Sequence, residues 1–146
     1  MAVTAFVYPT GMFPTAFNKE VDLLTDAIKC ALATSTYTPD QDTHDYFNDV
    51  TNEVVGTGYT AGGATLANDT LTYTAGSNLY TYDADDATWS TSTITARYAV
   101  VYDSTPASDA TRPLLLYQNF GGDFTSTGGT FTVAWNASGI FTITCA

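Results

Sequence analysis

Apolar and polar residues alternate with a period of two over much of this chain, and the pattern is densest at residues 93–102. There Ile94, Ala96, Tyr98, Val100 and Tyr102 fall on one side of an extended strand, with Thr95, Arg97, Ala99 and Val101 on the other. β-Branched and aromatic side chains suit such a pleated, half-buried surface. Because the second side is nearly as apolar as the first, this strand is expected at the centre of a core and covered on both faces. Arg97 must then lie near the sheet edge or be paired, since an isolated buried charge is costly.

Weaker versions of the pattern predict further strands at 27–33, 53–55, 65–73, 79–82, 114–120, 130–135 and 140–145. Gly, Asp, Asn, Ser or Pro punctuate the chain between them at 75–78, 83–86, 104–106, 121–123 and 136–139. The last two strands read as a hairpin closed by a loop of about four residues. Residues 43–49 can start one helical turn, capped by Asp42 or Thr43, too short to be stable alone. Four glycines within 56–63 mark a mobile turn. The predicted fold class is all-β: an antiparallel β-sandwich, jelly-roll-like or immunoglobulin-like, with at most one short helix. The Cys, Trp, Cys spacing of immunoglobulin domains is absent.

Residues 1–17 are apolar and interrupted by Pro9, Gly11 and Pro14, so they predict an arm rather than a helix, ahead of a single domain at 18–146. Two readings stand for the arm. It is an edge strand packed on its own domain, or it docks on a neighbouring subunit through Val3, Phe6, Tyr8, Met12, Phe13 and Phe17.

Composition narrows the function more than it names it. Fifteen acidic against four basic residues give a net charge of -11. Lys19, Lys29, Arg97 and Arg112 are too scattered to hold phosphates, so no nucleic-acid partner is expected. No apolar run approaches the roughly 20 residues of a membrane span, and the N-terminus has no basic region of a secretory signal, so synthesis in a cytoplasm and no membrane partner are expected. Cys30 and Cys145 are then read as small core residues rather than a disulfide.

Candidate chemistry is sparse. His44 is the only histidine and sits in a polar loop, where a solvated surface role is expected; neither cysteine has the setting of a nucleophile. One His and two distant Cys make no zinc site. Asp83, Asp85 and Asp86, and separately Asp40, Asp42 and Asp45, are the better candidates for calcium, but neither loop has the glycine and bidentate Glu of an EF-hand. Gly56-Thr57-Gly58 with Gly62-Gly63 lacks the Lys-Ser/Thr that follows a phosphate cradle. No catalytic residue, metal or cofactor is expected, and the chain reads as a non-enzyme.

Several longer phrases are more specific: Thr38-Pro39-Asp40-Gln41-Asp42-Thr43-His44-Asp45-Tyr46, Asp49-Val50-Thr51-Asn52-Glu53-Val54, the glycine-rich 56–63 segment, Ala87-Thr88-Trp89, residues 94–102, and the closing Gly129-Thr130-Phe131-Thr132-Val133-Ala134-Trp135 with Gly139-Ile140-Phe141-Thr142. From about Lys19 to the end the chain resembles a family of small virion structural proteins of tailed bacteriophages. The resemblance implies a head decoration (cement) protein on the virion surface, bound to the major capsid protein and to copies of itself, with a trimer suggested by capsid symmetry. It carries over no catalytic residues. The arm departs from the family at Pro9 and Pro14. Two alternatives remain: a tail-tip or fibre knob that contacts the host surface through exposed Tyr37, Tyr59 and Tyr80, and a calcium-dependent carbohydrate-binding module that uses Asp83 and its neighbours.

Overall fold

The computed structural model describes residues 4–8, 11 and 19–144. Among the described residues eight strands form two antiparallel sheets, making a β-sandwich. The backbone of the larger sheet is a long hairpin of β6 (Ala87–Asp103) and β7 (Leu114–Val133), joined through a short 3-10 turn at Asp109–Thr111. Beside β6 lies β2 (Ile28–Ala33), edged by the two-residue β3 (Ala64–Thr65). On the other side, β1 (Thr4–Val7) pairs with the first part of β7, from Thr4 opposite Asn119 to Val7 opposite Leu116. The smaller sheet orders β4 (Thr70–Thr74), β5 (Leu79–Asp83) and β8 (Phe141–Thr144).

The central strand is covered on both faces only from Ala99 to Asp103; before that Thr93 and Thr95 leave one face exposed, and the two faces are not those of simple alternation. Ile94 and Ala96 share the inter-sheet core with Ala99 and Val101, whereas Val100 and Tyr102 point the other way. A bulge at Arg97 inverts the phase. Ala96 lies opposite Phe124 and Tyr98 opposite Asn119, so Arg97 faces the four residues from Phe120 to Asp123. Gly121 supplies the left-handed backbone that this excursion needs, with φ at 74°. Arg97 donates from Nε to Asp123 Oδ1 at 2.8 Å, which meets the pairing expected of it. Glycines read as a break between two strands are therefore a kink within one.

The inter-sheet core joins Ile28, Cys30 and Leu32 of β2 to Trp89, Phe120 and Phe131 of the hairpin and to Tyr82 of β5. A second core on the far face of the large sheet is built from Tyr8, Tyr37, Phe47, Val100, Tyr102 and Tyr117. The segment that carries Tyr37 and Phe47 covers that face; the Phe47 and Tyr102 rings stack at 3.9 Å. Its single 3-10 turn spans Phe47–Asp49 with Tyr46, not Asp42 or Thr43, as the capping residue.

Three other expectations change. The final two strands do not form a hairpin: β7 continues with β6 to Val133, and β8 crosses to β5 in the other sheet. The turn between them is real, with Gly139 N–H donating to Asn136 O, but Trp135 is drawn aside by Asp86, which accepts from its amide, and by Asp85 O, which accepts from its indole. Residues 53–55 make only an isolated bridge, Glu53 to Ala33. The predicted strand at 65–73 is two strands, interrupted where Asp85 N–H reaches Ala67 O.

Candidate docking surface

Of the six arm residues singled out, Val3, Met12, Phe13 and Phe17 lie outside the described residues. Phe6 stands on the edge strand β1, 36% exposed, with its ring stacked on Tyr117 at 5.1 Å. Tyr8 is fully buried. Its hydroxyl lies 2.7 Å from that of Tyr37, which in turn lies 3.1 Å from His44 Nδ1. Burial pushes the Tyr37 hydroxyl up to about 12 and drives that of Tyr8 well above the ordinary tyrosine range. The chain of hydroxyls is thus a neutral structural clasp between arm and domain. His44 belongs to it: half-buried and stacked on Tyr37 at 5.7 Å, it is not the solvated surface residue that its polar neighbours predict.

Beyond Asn119, where β1 stops, the outer edge of β7 continues through Phe120 to Val133 with no strand paired to it among the described residues. Such an edge presents unpaired N–H and C=O groups. Beside it the bent strand encloses an open hollow of about 520 Å³, walled by Phe120, Phe124 and Phe131 with Ser126, Thr130 and Val133. Phe120 meets Phe124 edge-on at 6.1 Å and Phe131 at 6.2 Å, and Phe124 is 40% exposed. The ribbon that carries this surface is uncharged in effect: Arg97 is the one charge between Ala87 and Tyr102, Asp123 is the one charge from Leu114 onward, and the two neutralise each other. Sequence reasoning missed the hollow because it ended a strand at Gly121-Gly122. Paired glycines at 121–122 and 128–129 are the signal that a single strand bends there.

A second uncovered surface lies on the small sheet. Leu71, Tyr82 and Phe141 form one cross-strand row, and Tyr73, Tyr80 and Ile143 the next on the same face. Tyr82 and Phe141 enter the core, but Leu71, Tyr73, Tyr80 and Ile143 overhang it and stay exposed, with the Tyr73 and Tyr80 rings 4.8 Å apart. Of the tyrosines expected at a host contact, only Tyr80 has this exposure. Tyr37 is buried, and the Tyr59 hydroxyl accepts from Leu32 N–H and donates to Glu53 Oε1.

The loops weighed for chemistry are occupied by the fold. Glu53 also accepts from Gly62 N–H at 2.5 Å, and Tyr102 donates to Gly62 O at 2.9 Å, so the glycine-rich segment is pinned rather than mobile. Asp85 accepts from Asn68 Nδ2 at 2.6 Å, Asp86 from Trp135 N–H, and Asp40 from Asp42 N–H. Among the described residues no three His, Cys, Asp or Glu side chains converge as a metal site. Cys30 is a buried free thiol whose pKa is pushed up by desolvation, so its thiolate is disfavoured; Cys145 lies outside the described residues.

No protein-family model, no curated protein and no solved structure matches the chain.

Proposed function

We propose that this chain is a decoration (cement) protein of a tailed-bacteriophage head, made in the host cytoplasm and bound to the major capsid protein at the virion surface. The observation that carries the docking part of this reading is the free edge of β7 with its phenylalanine-walled hollow, uncharged in a chain of net charge -11. An edge of this kind binds an extended segment of a partner through main-chain hydrogen bonds, while an adjoining apolar hollow takes a side chain and gives selectivity. Phe6, on the neighbouring strand, stacks on Tyr117 over the opposite face of the sheet and is not part of this hollow. Fourteen of the fifteen acidic residues fall between Glu20 and Asp109, so repulsion would keep the remaining surface soluble while this one docks. The phage assignment itself comes from the sequence phrases.

Deleting the whole arm is a poor test, because it removes Tyr8 from a core. Point variants are cleaner. Phe124→Lys and Phe124→Ser are expected to keep the denaturation midpoint of the parent and to lower occupancy on purified heads that lack the protein by at least about tenfold; unchanged occupancy rejects β7 as the docking edge.

The exposed pair Tyr73 and Tyr80 favours a second reading, a tail-tip knob that stacks these rings against a host glycan. The calcium-dependent module has less support, since Asp85 and Asp86 already accept hydrogen bonds from Asn68 and Trp135.

A further inference from the structure

We infer that two copies of this chain pair through β4, edge to edge and antiparallel, about a twofold axis at Thr72. This is independent of the head-decoration reading and uses a different surface. All five residues of β4, Thr70-Leu71-Thr72-Tyr73-Thr74, are exposed, and among the described residues the strand pairs only with β5. Natural sheets protect such edges with lysine, proline, a bulge or an inward charge. β4 has none of these.

The unpaired backbone groups call for another strand, and the side chains call for a copy of this one. With Thr72 opposite its own symmetry mate, Leu71 of each copy falls opposite Tyr73 of the other, twice over, which is the self-complementarity that a twofold contact demands. The cross-strand rows then continue from sheet to sheet. On the overhanging apolar face, Ile143, Tyr80 and Tyr73 run into Leu71, Tyr82 and Phe141 of the second copy. On the opposite face, Thr142, Thr81 and Thr72 run into the same three threonines in reverse, a continuous six-residue threonine row.

Charge selects the same contact. Copies of net charge -11 repel one another over most of their surface. The fourteen residues of β4, β5 and β8 carry a single charge, Asp83, which lies opposite Thr70 at the end of the strand. This sheet therefore allows close approach where most of the molecule resists it. Salt that screens the outlying charges should strengthen the association.

The test is sedimentation equilibrium of the full chain over a range of concentrations, with cross-linking to fix the register. The expected mass climbs from 15.5 kDa to twice that value, and Leu71→Lys or Tyr73→Lys holds it at 15.5 kDa while keeping the parent's denaturation midpoint at concentrations where the parent is monomeric. On a Cys145→Ser background, Thr72→Cys is expected to form a covalent dimer roughly tenfold faster than Thr70→Cys or Thr74→Cys, because only residue 72 meets its own mate. A monomer mass at every concentration, a threefold mass, a dimer that survives both lysine variants, or equal rates for the three cysteine variants would each overturn the inference.

Discussion

Asp103 ends β6 with no exposed surface, and its two carboxylate oxygens fare differently. Oδ1 accepts from Thr105 N–H at 2.8 Å, whereas Oδ2 is buried without a hydrogen-bond partner. Desolvation raises its pKa above the usual 3.8, with the nearby Asp26 adding to the effect. The folded state therefore holds this proton more tightly than the unfolded chain does. Its protonated form adds stability that is complete below about pH 4 and is lost as pH rises through the folded pKa. Asp103→Asn keeps the Oδ1 acceptor and removes the desolvated charge, so it is expected to stabilise the protein at pH 7 by about 1 kcal/mol, the order of the desolvation cost that neutralisation relieves. Urea titrations at several pH values check this: the difference should be greatest at neutral pH and shrink on acidification. Asp22 and Asp40 act with the opposite sign. Amide hydrogen bonds from Leu24 and Asp42 hold their carboxyls below 3.8, so what they contribute is present above that pH and lost as acid protonates them. A second residue-scale effect is steric. Gly63 has φ at 75°, and an added Cβ would collide with the Cys30 carbonyl oxygen and lie 2.6 Å from Ala31 Cα. Gly63→Ala is expected to cost about 3 kcal/mol or more, read from the urea midpoint, since both backbone conformation and packing oppose it.

Elements were legible where alternation ran unbroken and hidden where a bulge or a change of sheet intervened. In β4, β5 and β8 the period-two pattern places Leu71, Tyr73, Tyr80, Tyr82, Phe141 and Ile143 on one face and threonines with Leu79 and Asp83 on the other. The both-sided burial of β6 was readable only for its last part, Ala99 to Tyr102, where both faces are apolar; the exposed Thr93 and Thr95 leave the earlier part covered on one face. What failed was phase and continuity. The bulge opposite Arg97 exchanges the faces of Tyr98, Val100 and Tyr102 with those of Ala99 and Val101, and local composition does not encode the mismatch of one residue against four. The same kink joins what reads as two strands into β7, and so hides the edge and hollow that form the candidate site. The divergence of β7 and β8 depends on Asp85 and Asp86, some fifty residues away, holding Trp135. Tyr8 was legible as an apolar arm residue but not as a core residue, because its partners Tyr37 and His44 come from a distant loop.

At the scale of the molecule, charge and surface divide. The acidic residues crowd the N-terminal two thirds of the sequence, while the β6 and β7 ribbon and the small sheet present threonine, serine and aromatic side chains. Two apolar surfaces are left uncovered by a fold that otherwise buries its aromatics well: the hollow along β7 and the overhang of the small sheet. The proposed head-decoration role asks for binding by shape and backbone at many equivalent places, and these two surfaces are what would serve it. The measurement that tests this most directly is the number of copies of the chain per purified virion, by quantitative mass spectrometry against the major capsid protein. A decoration protein is predicted at hundreds of copies, in a fixed ratio to the capsid subunits; a handful per particle, or none, would contradict the account.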